Sequence, residues 1–230
     1  MTENLATNSS SASKVAIESK NLQTATATNL TNTATSKEGK NTPLKPASSQ
    51  KSSMVDKGDI MEENCDFDES EPLNGLFALL RSKNGGNPHT KEAIIITASS
   101  TVANHPWQVI DPGWTSHWVT KNEAGQWIKF DFKTSRMILT SYTLKTYNYV
   151  AGGNHMKTWV VEGSTNDTDW LELDKRINVN ELNERYSTKN FKCKNSGAFR
   201  YIRIKQTGTT HCESNIMALT SVEFFGTLRD

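Results

Sequence analysis

The strongest constraint on this chain is a series of strand-patterned blocks in its second half: Gly125 to Phe132, Lys157 to Ser164, Phe199 to Gln206 and Val222 to Gly226. In three of the four, apolar and polar residues alternate, the period of a strand with one buried and one wet face. Several such strands, separated by turns and not by long helix-period segments, predict a β-sandwich or jelly roll. A fold of this kind binds at the loops along one edge and rarely does chemistry in its core.

The first stretch of the 230 residues has a different character. No Phe, Trp or Tyr precedes Phe67, and residues up to about Ser53 are Ser, Thr, Asn, Ala and Lys with scattered aliphatics. Too little apolar surface is available there to offset chain entropy, so a disordered tail is expected. An acidic run follows, with Glu62, Glu63, Asp66, Asp68, Glu69 and Glu71, and reads as a solvated linker. The expected division is residues 1–71 as tail and linker and 72–230 as one domain, large enough for a core without staples.

Net charge is +1, which favours no particular partner, and the basic stripe that nucleic-acid binding needs is missing. Arg200, Arg203 and Lys205 alternate with apolar residues as an ordinary solvent face would. The three cysteines, Cys65, Cys193 and Cys212, lack metal-ligand spacing and fit reduced thiols in a cytoplasmic protein, with a Cys193–Cys212 bridge left open. No apolar run is long enough to span a bilayer, and the N-terminus lacks a secretory h-region. The sequons at Asn8, Asn29 and Asn166 then read as chance matches.

Within the domain, Leu73, Leu76, Phe77 and Leu80 share a helical face, and Asn84-Gly85-Gly86 supplies a stop, so a short amphipathic helix packed on the sandwich is expected. A strand is expected over Ala93 to Ser100. Pro and Gly then punctuate a long loop to Trp118 that carries three Trp and two His. Further strands are expected over Arg136 to Asn148 and Leu219 to Leu228, with Gly-rich or polar loops at Tyr149 to His155 and Thr207 to Asn215. Trp118, Trp127, Trp159 and Trp170 sit in or beside strands and read as core or core-edge.

The ordered set of blocks resembles the coagulation factor V/VIII type C, or discoidin, domain family over about Ala93 to Leu228. Ala98-Ser99-Ser100 resembles its opening motif. Gly125-Gln126-Trp127-Ile128 with Asp131-Phe132 resembles its second strand. Glu162-Gly163-Ser164 with Asp169-Trp170, Phe199-Arg200-Tyr201-Ile202-Arg203 and Glu223-Phe224-Phe225-Gly226 match later ones. The resemblance implies an all-β, galactose-binding-like, discoidin-like β-sandwich jelly roll with a short N-terminal helix and a disordered tail. The absence of cysteines near Leu73 and Gly226, together with Gly85-Gly86-Asn87-Pro88-His89, is similar to intracellular protozoan members.

Family members bind through loops on one edge. Mapped by order, these loops carry Asn104, His105, Trp107, Trp114, His117, Asn154, His155, His211 and Asn215 as candidate ligand-binding residues. Asp111 either closes a turn with Pro112-Gly113 or holds Ca²⁺ with loop carbonyls, as in some relatives. The implied function is noncatalytic binding. A cytoplasmic protein-interaction or adaptor module leads, carbohydrate binding by the same loops is the alternative, and anionic-lipid binding follows, lowered by the lack of a Lys/Arg cluster there. His211-Cys212 invites a nucleophile–base guess, but no third catalytic member is evident.

Overall fold

The structure is a computed structural model that describes residues 62–230. The expected disordered tail and the sequons at Asn8 and Asn29 lie outside those residues. Twelve strands and one α-helix follow one another as β1 (Glu62–Cys65), α1 (Leu76–Asn84), β2 (Ile95–Ala98), β3 (Trp118–Val119), β4 (Trp127–Asp131), β5 (Arg136–Lys145), β6 (Trp159–Ser164), β7 (Leu171–Arg176), β8 (Thr188–Lys192), β9 (Ala198–Phe199), β10 (Tyr201–Gln206), β11 (Ala218–Leu219) and β12 (Ser221–Arg229). A 3₁₀ turn, Pro106–Ile110, lies between β2 and β3.

One sheet runs β1-β12-β5-β8, with β9 also on β5; the other runs β2-β4-β10-β6-β7, and β3 pairs with β11. Every pairing is antiparallel. The alternation read from sequence is the pleat itself: Ile128 and Phe130 of β4 and Ile202 and Ile204 of β10 are buried, while their neighbours along each strand face outward. This is the expected discoidin-like jelly roll.

The long strand β5 departs from alternation. Four consecutive residues, Ser141 to Leu144, are buried, because the strand is central in its sheet and both its faces are covered. Tyr142 donates its hydroxyl to Asp174 at 2.7 Å and accepts from the Trp159 indole at 2.9 Å. Arg176 donates to the same Asp174 oxygen. This chain of bonds, charge-assisted at Asp174, links β5, β6 and β7 across the core. Burial, together with the Asp174 charge, holds the Tyr142 hydroxyl well above its usual range.

Helix α1 fills the open side of the sandwich. Phe77 stacks on Phe130 of one sheet at 5.3 Å and meets Phe224 of the other at 5.0 Å; Phe130 and Phe224 meet edge-on at 4.8 Å. Glu223 reaches from β12 to accept the backbone N–H groups of Phe77 and Ala78 at 2.8 and 3.2 Å, orphan donors of a helix start. The helix ends as its sequence signals, at Gly85 in the left-handed conformation (φ 64°). Arg81 then carries the contact outward, donating to the Ile110 carbonyl at 3.2 Å and forming an ion pair with Asp111.

Two expectations change. Glu62–Cys65, read as linker, is an edge strand on β12, with Glu62 opposite Arg229 and Cys65 opposite Gly226. Its charges are held by Arg229 and Lys83 while Cys65 turns inward; a strand with so many acids carries no readable alternation. Trp118 and Trp159 are core, as expected, but Trp127 and Trp170 are half-buried on the outer sheet face. There Lys129 and Arg203 lie 5.5 and 4.0 Å from their rings. Arg200 and Arg203 are paired with Asp131 and Glu162.

Burial pushes the Glu223 carboxyl up to about 7 from an ordinary 4.5, against the pull of its backbone donors. The folded state therefore binds this proton more tightly than the unfolded chain. Its contribution is complete below pH 4.5 and is lost as pH rises through 7, amounting to about 3 kcal/mol. The buried His155 and the half-buried His89 and His117, all pushed down by desolvation, act in the opposite sense, so the difference between wild type and Glu223→Gln isolates the carboxyl. Urea unfolding of both between pH 4.5 and 7.5 should show the wild type losing stability relative to the variant; parallel profiles would refute the assignment.

Candidate functional site

The ends of β5, β6, β7, β8, β10 and β12 that lie together carry the connections 146–158, 177–187 and 207–217, and the segment 104–118 packs beside them. Tyr147, just past β5, sits at their junction. Its ring lies 4.6 Å from His117, 4.9 Å from His155 and 5.9 Å from Tyr149, the last nearly parallel at 22°. The Tyr147 ring is buried, with its hydroxyl accepting from the Asn154 backbone N–H at 2.8 Å. Tyr149, 52% exposed, stands at the rim.

Asn154 latches two loops together. Its Oδ1 accepts from the Cys212 thiol at 2.9 Å and from the Ser214 hydroxyl. His211 N–H donates to the His155 carbonyl at 3.1 Å, and the His211 ring donates to Val179 at 3.0 Å. Tyr186 reaches the Thr115 carbonyl at 3.4 Å. Between the two loops opens a hollow of about 330 Å³ lined by Tyr147, Tyr149, Gly152, Gly153, Asn154 and Cys212. Gly153 makes it possible, since a Cβ there would lie 2.5 Å from Tyr149 Cδ1 and 2.8 Å from Tyr147 Oη.

The expected residues divide by this geometry. Asn154 is in the wall of the hollow and His117 stacks behind it. His155 is fully buried and cannot touch a surface ligand. Its Nε2 donates to the Tyr149 and Val150 carbonyls, both at 3.2 Å, which shapes the loop, and burial pushes its pKa down. His211 is committed to Val179. Asn215 donates its backbone N–H to Asn122 at 2.8 Å. Asn104 donates to the His117 carbonyl at 2.7 Å, closing the base of its own loop.

Trp107 stacks with His105 and with His89, on the connection between α1 and β2, at 5.6 and 6.0 Å. Trp107 and Trp114 are both partly buried against the core. The Asp111 carboxylate is engaged by Arg81, and among the described residues no three His, Cys, Asp or Glu side chains gather at metal-ligand range. Cys212 and His211 turn to separate partners, so they form no nucleophile–base pair. Cys193 and Cys212 are both free thiols; burial, with Asp174 nearby, pushes Cys193 up to about 12.

Sequence reasoning passed over Tyr147 and Tyr149. The available signal was their spacing: two residues apart just past a strand end, then a glycine pair that lets backbone approach a ring.

The profile of the F5/8 type C domain matches residues 95–219. No curated protein sequence is significantly similar. Among solved structures, the chain is similar to CpGH89CBM32-5 from Clostridium perfringens, in complex with GalNAc-β-1,3-galactose, at 16% identity and TM-score 0.49, over 59% of this chain and 96% of that one. It is similar to the family 32 carbohydrate-binding module of C. perfringens NanJ in complex with galactose, at 12% identity and TM-score 0.47, covering 58% and 94%. A fucolectin from the serum of Morone saxatilis, striped bass, gives 16% identity and TM-score 0.48, covering 60% and 47%.

Gly153→Ala is expected to displace both tyrosine rings and to cost about 1–3 kcal/mol, as overpacking does. Urea unfolding reads the loss, and the ring resonances of Tyr147 and Tyr149 should shift. Unchanged ring resonances would mean that Gly153 does not set the shape of the hollow.

Proposed function

The chain belongs to the F5/8 type C domain family, and from that premise we propose that it is a noncatalytic module that binds carbohydrate in the hollow between the 147–155 and 207–217 loops. The family is one of binding modules. The observation that carries the carbohydrate reading is the exposed Tyr149 ring, backed by Tyr147 and set beside the Asn154 amide in one concavity. A pyranose offers an apolar C–H face to stack on a ring and hydroxyls for a neighbouring amide. The hollow is also at the small end of ligand-site volumes, about 300–1,000 Å³, which suits one or two sugar rings better than the broad contact of a protein adaptor.

The lining explains why aromatic residues and not charges would carry the affinity. No Lys, Arg, Asp or Glu lines the hollow, and the nearby Lys157–Glu213 pair closes on itself at 2.6 Å. Stacking would therefore supply most of the binding energy, with hydrogen bonds fixing orientation.

A glycan array probed with the full chain is expected to give saturable hits. Tyr149→Ala should weaken them at least tenfold without lowering the melting temperature by more than about 2 °C, as an exposed ring far from the core implies. Trp107→Ala should do the reverse, lowering stability while leaving affinity unchanged. A blank array, or hits indifferent to Tyr149→Ala, would overturn the proposal.

A further inference from the structure

We infer, building on the carbohydrate reading, that the hollow selects by hydrogen-bond polarity: it accepts sugars that present an acceptor such as an acetamido carbonyl and rejects the same sugars carrying a free ammonium group. The polarity of the wall is set at Asn154. Two donors, Cys212 Sγ and Ser214 Oγ, converge on its Oδ1. The amide oxygen is thereby consumed inside the protein, and the Nδ2 group is what remains to meet a ligand.

The other polar groups of the wall are biased the same way. Tyr147 Oη already accepts the Asn154 backbone N–H at 2.8 Å, which takes up one of its lone pairs and leaves its proton free to offer. Two carbonyls of the same loop, Tyr149 and Val150, are turned inward to the His155 ring. No carboxylate lines the hollow. The acid next to Cys212, Glu213, is occupied by Lys157 at 2.6 Å and by the Thr209 hydroxyl at 2.9 Å. A ligand carbonyl or ring oxygen finds donors here. An ammonium group, which only donates, meets the Asn154 amide donors and no counter-charge, and so pairs worse than an acceptor does.

The discrimination depends on the Cys212–Ser214 latch and not on Asn154 alone. Loss of the latch would free Oδ1 and let the amide rotate, and a rotated amide reads either polarity. Asn154→Asp is the sharper change. It is isosteric, keeps an oxygen for Cys212 and Ser214, and puts a second, charged oxygen where Nδ2 stood.

The test is titration of the full chain with matched sets: N-acetylgalactosamine, galactosamine and galactose, and the corresponding glucose series. It is run at about pH 6, below the range in which such an amine gives up its proton. Wild type should bind the acetylated member of a set at least tenfold more tightly than the amine. Asn154→Asp should invert that order, and Ser214→Ala should shrink the ratio while retaining binding; melting temperatures of both variants verify the fold. Equal affinity for acetylated and amine forms in wild type, or an order unchanged in Asn154→Asp, overturns the polarity inference while the carbohydrate reading survives. Failure of every sugar to bind overturns both.

Discussion

The buried carboxyl group of Glu223 is the tie on which the arrangement of this domain depends. A two-sheet sandwich with a free side needs a cover, and α1 is a helix of only nine residues, too short to be stable by itself in water. Its stability has to come from packing and from its end groups. Phe77 supplies the packing, touching one ring from each sheet. Glu223 supplies the end groups, taking N–H donors that would otherwise be buried and unpaired. Because Glu223 lies on β12, which also pairs with β1 and β5, its side chain ties the helix to the strand that joins both ends of the described domain to its longest strand. Arg81 extends that order to the 3₁₀ turn through Ile110 and Asp111.

The loops at the other side of this frame are held by different means. They bury Met156, Val179, Leu182 and Met217 in the core, and side-chain hydrogen bonds join one loop to the next. Asn154, Cys212 and Ser214 join two of them, His211 reaches a third at Val179, and Tyr186 reaches Thr115 in a fourth. Each bond is worth little alone, about 1 kcal/mol. Together they fix rings and amides that would otherwise pay a larger ordering penalty on meeting a ligand. A rigid sheet core with polar latches at its loop end is what lets a shallow hollow keep a defined shape.

Much of the fold was legible in the sequence because it follows from period. β4 and β10 alternate strictly, and α1 announces itself by Leu76, Phe77 and Leu80 and by the glycine after Asn84. What period could not reveal was β1, where Glu62 and Glu63 look like linker until Arg229 and Lys83 are placed beside them. The candidate site was half legible. The three loops were located correctly along the chain, and Asn154 does line the hollow. Loop aromatics could not be ranked by exposure, however, because burial of Trp107 against His89 and of His155 beneath Tyr147 is a tertiary fact. Tryptophan drew attention away from the smaller rings of Tyr147 and Tyr149. The pairing of Asp111 with Arg81, thirty residues earlier in the chain, is likewise a tertiary fact.

The backbone of these loops also shows where stability has been given up. Asn104, Asn178, Tyr186 and Glu213 all have positive φ, between 52° and 62°, in connections of the loop end or packed beside it. For asparagine the left-handed region is mild, but for a tyrosine it is strained, by roughly 1–3 kcal/mol. Such strain persists only where surrounding contacts over-determine it. At Tyr186 those contacts are visible: its N–H donates to the Tyr147 carbonyl at 3.2 Å, its hydroxyl reaches Thr115, and Lys145 lies 5.4 Å from its ring. The bond to Tyr147 matters most, since it ties the strained residue to the aromatic centre of the hollow. The 177–187 connection contributes no wall to that hollow, yet it holds Tyr147 in place and, through Asn183, the N–H of Gly152 at 2.8 Å. The strained segment is therefore best understood as a brace: backbone energy is given up one loop away so that the tyrosine pair and the glycine turn beneath it hold a single arrangement.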